Sequence, residues 1–88
     1  GTIKTADTAD KFVGAATVGI DASVAGKQFV AATGDNEVNL NGEAGASNAT
    51  TGGLKGSRIK FTAIAANLYA VEGQLLGNGT IATPFDAQ

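Results

Sequence analysis

SRIKFTAIAANLYAVEGQLLG, residues 57–77, carries the strongest structural signal in the chain. Apolar and polar residues alternate from Ile59 to Ala63, an Ala-Ala-Asn turn follows, and a second alternation runs from Tyr69 to Leu75. A period of two is typical of a half-buried strand, so the segment predicts a β-hairpin. A helix is the alternative because alanine and leucine favour it, but Gly73 and the β-branched and aromatic flanks oppose a helix.

Upstream of the hairpin, short segments rich in Val, Ile, Phe and Thr are separated by glycines, of which the chain has 13. Short segments of this composition, separated by glycines, are typical of a small antiparallel β protein. Asn36 to Gly42 alternates strictly, with Val38 and Leu40 on one side. The other candidate strands are Lys11–Val13, Thr17–Ile20 and Gln28–Ala32. We therefore predict an all-β fold, a small antiparallel β-sandwich or barrel.

The chain divides into an N-terminal arm (residues 1–10), a β domain (residues 11–79) and a C-terminal extended tail (residues 80–88). The arm is polar with Ile3 as its apolar anchor, so its order is expected to depend on a docking partner. In the tail, Pro84 lacks an amide donor and favours a strand edge or a crossing onto another surface, and the Phe85 ring needs cover.

Two connecting segments lack strand character. Residues 43–53 contain no large apolar side chain and are predicted to form a surface loop. Asp21 to Gly26 could form one helical turn, with Asp21 or Ser23 as its N-cap, or a tight loop.

Composition restricts the chemistry available to these 88 residues. Of the hydrophobic residues, 17 are alanine and 21 are Val, Ile, Leu, Phe or Tyr, so a modest core and modest stability are expected. The chain has no cysteine and no histidine, which excludes disulfides, thiolate chemistry and imidazole catalysis. It also shows neither a signal peptide nor an apolar run long enough to span a membrane, so a soluble protein is expected.

Motifs that could carry chemistry are weak. The eight acidic residues form no spaced pair on a rigid element, and no serine has a histidine base, which argues against a hydrolase. Glu37-x-Asn39-x-Asn41-Gly42 matches the first half of a calcium loop but places Asn48 where a bidentate carboxylate is needed. We predict no catalytic residues, no metal and no cofactor.

Two further candidate binding features involve glycines and basic residues. Gly52, Gly53 and Gly56, with Lys55, could form an anion-binding nest, although an ordinary turn fits better. Lys55, Arg58 and Lys60 form a basic cluster, either a solvated strand edge or a contact for an acidic patch on a protein partner. A pI near 4.7 argues against nucleic-acid binding.

The block ATTGGLKGSRIKFTAIAANLYAVEGQLLGNGTIATPF, residues 49–85, resembles the C-terminal part of small virion proteins of tailed bacteriophages. KQFVAATGDNEVNLNG, residues 27–42, is similar in type. The resemblance implies a capsid decoration (cement) protein, a homotrimer that binds the major capsid protein on the capsid exterior of the virion. The alternative is a phage tail or head-fibre protein or a receptor-binding domain; a small enzyme and a bacterial pilus subunit are further alternatives.

In that role the arm and the tail would add extended segments to neighbouring subunits or to the capsid. Nucleic acid, membrane and small-molecule substrates are not expected partners. Deleting Pro84–Gln88 should then weaken attachment more than it destabilises the isolated protein, and deleting residues 1–10 should likewise weaken binding while leaving the β signal in circular dichroism. The predicted contact residues are Ile3, Lys4, Lys55, Arg58, Lys60, Ile81, Pro84 and Phe85.

Overall fold

A computed structural model describes residues 1–20, 25–42 and 48–88, and these residues form two β-sheets with no α-helix. The larger sheet has the strand order β3-β2-β6-β5, and the smaller has the order β1-β4-β7. The all-β prediction is confirmed, in an arrangement compatible with a small β-sandwich. The strands are β1 (Thr2–Lys4), β2 (Lys11–Ile20), β3 (Gly26–Val30), β4 (Glu37–Asn39), β5 (Arg58–Ala65), β6 (Leu68–Gly77) and β7 (Phe85–Asp86).

The predicted hairpin is present as β5 and β6. The strands pair antiparallel from Arg58 opposite Gln74 to Ala63 opposite Tyr69, and the register shifts between Ala63 and Ala65. Asn67 takes a positive φ of 57° in the turn, a conformation that asparagine tolerates better than most residues. Ile59 and Phe61 of β5 pack on the core, as the alternation predicts, whereas Ala63, the next residue of that alternation, is exposed.

The larger sheet is mixed, whereas the sequence predicted an antiparallel fold. β2 and β6 run parallel along their whole length, from Lys11 opposite Leu68 to Ile20 opposite Gly77. A parallel pair requires a crossover, which the intervening chain supplies by passing through β4 of the smaller sheet before it returns as β5. The two short strands predicted around Gly14 are one continuous strand, because Gly14 stays in register opposite Val71.

The core lies between the sheets and is built from alternating inward positions. Val18 on β2, Leu75 on β6 and Val38 on β4 are fully buried. Leu40 is partly buried and packs against this core. The rest of the buried cluster consists of Phe12, Ala16, Val71, Ile81 and Phe85.

Both ends of the chain pair with β4, which corrects the predicted arm and tail. β1 pairs antiparallel with β4, with Ile3 opposite Val38, so the arm is ordered on its own chain. β7 pairs with the other side of β4, with Phe85 also opposite Val38. A short central strand has two hydrogen-bonding edges, and the two ends of the same chain satisfy them.

The predicted surface loop is only partly a surface feature. Within residues 48–53, Ala49 and Gly52 are buried, and the Ala49 carbonyl accepts hydrogen bonds from the amides of Gly52 and Asn78. Residues 43–47 and most of the segment Asp21 to Gly26, including Asp21 and Ser23, lie outside the described residues. Among the described residues, no helix has the length and hydropathy needed to cross a bilayer.

Candidate functional site

The C-terminal residues predicted to contact a partner lie inside this chain's own core. Pro84 is fully buried, Phe85 is 5% exposed and Ile81 is 7% exposed. Large apolar side chains are scarce in the sequence, and the fold uses Ile81 and Phe85 in its buried core cluster. The tail therefore does not form an exposed strap, and this prediction is corrected.

The calcium-like motif contributes a side chain, Asn41, to hydrogen bonds within the protein. The Asn41 amide nitrogen donates to Thr50 Oγ1 at 2.9 Å, and its amide oxygen accepts from the Thr51 backbone nitrogen at 2.9 Å. Asn41, the third side chain of the calcium-like pattern, is thus engaged in a loop contact. Among residues 1–20, 25–42 and 48–88, no group of three or more His, Cys, Asp or Glu side chains is placed to hold a metal ion.

The glycines of the possible anion nest serve packing. Gly52 and Gly53 both have positive φ values, 98° and 101°, but Gly52 is buried against Leu75. A Cβ atom at Gly52 would lie 2.7 Å from the Leu75 Cβ atom, so the glycine allows a close approach of loop and strand. The ordinary-turn interpretation fits this geometry better than the nest.

The predicted basic cluster lies along β5 and the turn before it. Arg58 and Lys60 are exposed on the outer face of the larger sheet, and Lys55 is exposed in the preceding turn. Lys60 Nζ lies 4.0 Å from Glu72 Oε1, and both side chains are 72% exposed. An ion pair this open to solvent contributes little to stability, so little free energy is lost if Lys60 contacts a partner instead.

The outer face of the larger sheet forms an open groove of about 530 Å³. Its lining combines the small residues Ala15 and Gly73 with long polar side chains. One row of side chains crosses all four strands, because the strand register places these four residues side by side. That row is Gln28, Thr17, Gln74 and Arg58.

An apolar cleft of about 250 Å³ opens between β1, at the edge of the smaller sheet, and the larger sheet. The rings of Phe12 and Phe61 lie in it with centroids 5.1 Å apart and planes tilted by 38°. Tyr69 completes the aromatic lining, and the predicted contact residues Ile3 and Lys4 form the opposite wall. The structure thus brings Ile3 and Lys4 together with Phe61 and Tyr69, which lie more than 50 residues away in the sequence.

Sequence reasoning missed several members of these surfaces. Phe61 and Tyr69 pack against the core, as their strand alternation predicts, and Phe12 is buried in it. Alternation assigns a face but does not show that the three rings also line a cleft. Val30, 65% exposed, and Val13, 40% exposed, line neither the groove nor the cleft, and the sequence did not show that they are exposed. Their pairing partners, rather than any motif, reveal that they face solvent.

These surfaces offer backbone edges, apolar contacts and charged side chains to another molecule. Comparisons of the chain with protein-family models, with curated proteins and with solved structures found no match.

Proposed function

We propose that this chain is a non-enzymatic structural protein that decorates and stabilises the capsid of a tailed bacteriophage by binding the outer surface of the major capsid subunits. The resemblance of residues 49–85 to small virion proteins supplies the biological setting. One structural observation supports a binding role of this kind: the open side of the sandwich, where two edge strands, β1 and β5, flank an apolar cleft.

Edge strands and exposed apolar side chains are normally protected, so a surface that presents both is suited to a protein partner. The cleft exposes Ile3 beside three aromatic rings, and the adjoining face carries Arg58 and Lys60. A homotrimer would present three such surfaces to several capsid subunits at once. Its avidity would exceed that of a single contact without any additional type of interaction.

The alternative is a fibre or receptor-binding domain, and the outer-face groove with its amide, hydroxyl and guanidinium groups favours it. A sugar ligand usually also stacks on an aromatic ring, and none of the described residues that line the groove is aromatic. The aromatic side chains of the described residues Phe12, Phe61 and Tyr69 line the cleft at the sandwich edge instead. This distribution favours the decoration role.

The test is to mix the purified protein with capsid shells that lack it and, separately, with host cells. A decoration protein should saturate the shells at a fixed ratio to the major capsid protein, should slow their disruption by heat, and should not sediment with cells. Binding to cells but not to shells would favour the receptor-binding alternative. Binding to neither would contradict the proposal.

A further inference from the structure

β5 is an edge strand of the larger sheet. β5 pairs with β6, and no other described strand pairs with it. Its register with β6 is regular from Arg58 to Ala63 and is broken only beyond Ala63, toward the hairpin tip. The regular part is long enough for an extended peptide to form a ladder of main-chain hydrogen bonds.

A cleft for side chains lies beside this edge. Phe61 projects inward from the middle of β5 and forms part of the apolar cleft with Phe12, Tyr69 and Ile3. A strand added to a sheet lies about 4.8 Å from its neighbour and alternates its side chains between the two faces. An inward side chain of a strand added to β5 would therefore lie next to Phe61 and face Ile3.

The charges on β5 indicate which side chains an added strand should carry at its outward positions. Arg58 and Lys60 point to the outer face, and Lys55 precedes them in the turn. Glu72 offsets part of this positive charge, but its contact with Lys60 is solvent-exposed. Opposite charges on adjacent strands attract, so acidic side chains match this face, whereas pairing of β5 with a second copy of itself would bring like charges together.

We propose that β5 accepts an extended segment of a partner protein as an additional strand, with apolar side chains at its inward positions and acidic side chains at its outward positions. The segment closes the open side of the sandwich, fills the cleft between Phe61 and Ile3, and places carboxylates beside Arg58 and Lys60. This inference rests on the proposed function for the source of the segment, which is then the major capsid protein.

The test uses the full chain and a fluorescently labelled synthetic peptide in which valine and glutamate alternate. We expect saturable binding by fluorescence anisotropy, weakening with salt, and amide chemical-shift changes at Arg58–Ala63 but not at the other edge strand of that sheet, Gly26–Val30. A peptide with lysine in place of glutamate should bind at least about tenfold more weakly.

Matched variants separate this edge from general charge and hydrophobic effects. Arg58→Glu should weaken binding of the glutamate peptide at least about tenfold, whereas Lys27→Glu, the same charge reversal on β3, should leave it unchanged. Ile3→Ser should weaken it, whereas Val13→Ser should not, although the two side chains are equally exposed at 39% and 40%. Circular dichroism confirms that each variant is folded.

No binding of the glutamate peptide, equal binding of both peptides, or equal effects of Arg58→Glu and Lys27→Glu would overturn the inference. The peptide assay contains no shells, so its failure leaves the proposed function standing if the protein still saturates shells. Conversely, peptide binding at β5 without shell binding would refute the capsid role and retain the strand-accepting edge.

Discussion

At the scale of single residues, the fold depends on positions where only one side chain fits. Gly14 has a φ of +112°, and a Cβ atom there would overlap the backbone carbonyl oxygen of Val71 on β6. The absence of a side chain thus permits the parallel β2–β6 pairing at this point. Asn36 is 1% exposed and is the one polar residue among the buried side chains of the described chain.

We expect Gly14→Ala to destabilise the protein by about 2–5 kcal/mol, because it combines an unfavourable φ with a clash against backbone that cannot move away. Gly34→Ala is the control: Gly34 also has a positive φ, 95°, but no atom beyond its two chain neighbours lies within 4 Å of its added Cβ. That variant should lose only about 1–2 kcal/mol. Chemical denaturation measures both, and equal losses would contradict the steric argument.

Asn36 connects the two ends of the chain. Its amide nitrogen donates to the Thr8 carbonyl at 3.2 Å, and its amide oxygen accepts from the Gln88 backbone nitrogen at 2.9 Å. Without the Asn36 side chain, the Thr8 carbonyl and the Gln88 backbone nitrogen lose this hydrogen-bond partner.

Asn36→Ala should therefore cost about 1–3 kcal/mol and increase amide hydrogen exchange near both termini. Asn39→Ala is the matched control, because Asn39 makes an exposed contact with Thr2 Oγ1 and should lose only a few tenths of a kcal/mol. Exchange that increases at one terminus alone would contradict the connecting role.

At the scale of elements, β4 is the strand on which the smaller sheet depends. It carries β1 on one side and β7 on the other, and its central residue Val38 is fully buried. The two outer strands differ in what they bury. All three residues of β1 are exposed, whereas Phe85 of β7 is in the core.

Deleting residues 1–4 should therefore lower stability only slightly, while deleting residues 84–88 should unfold the protein or nearly so. The physical reason is the loss of Phe85: truncation of a buried phenylalanine alone costs about 3–5 kcal/mol, a large part of the roughly 4–13 kcal/mol expected for a chain of this length. Melting temperatures by circular dichroism test the pair. A stable protein lacking residues 84–88 would restore the idea of a detachable tail.

At the scale of the whole molecule, the chain is held together by contacts between distant segments. The molecule measures 39 × 21 × 19 Å, and its long axis accommodates the ten-residue strands β2 and β6. Those central strands come from opposite ends of the sequence, as Lys11 opposite Leu68 shows. The local hairpin of β5 and β6 can form early, but the central pairing must wait for closure of a long loop.

We expect refolding in milliseconds to seconds, in the range of all-β domains dominated by non-local contacts and not of helical bundles. Stopped-flow fluorescence of Tyr69, the single tyrosine of the chain, provides the measurement. The rate should not depend on protein concentration, since the pairing is intramolecular. Refolding in microseconds, or a rate that rises with concentration, would contradict this pathway.

The sequence by itself determined the all-β class, the hairpin from Arg58 to Gly77 and the inward side of β4. These features depend on the alternation of apolar and polar residues and on turn-forming residues. Both act over a few neighbouring residues and can be recognised within one segment. For the same reason it identified Arg58 and Lys60 as an exposed basic face.

Only the tertiary structure decided that β2 and β6 are parallel, that Phe85 and Ile81 fill this chain's own core, and that Ile3 faces Phe61 across a cleft. Each of these depends on which distant segments meet. An apolar residue near a terminus is equally consistent with a core position and with a partner contact until its neighbours are known, because burial is favourable against either surface.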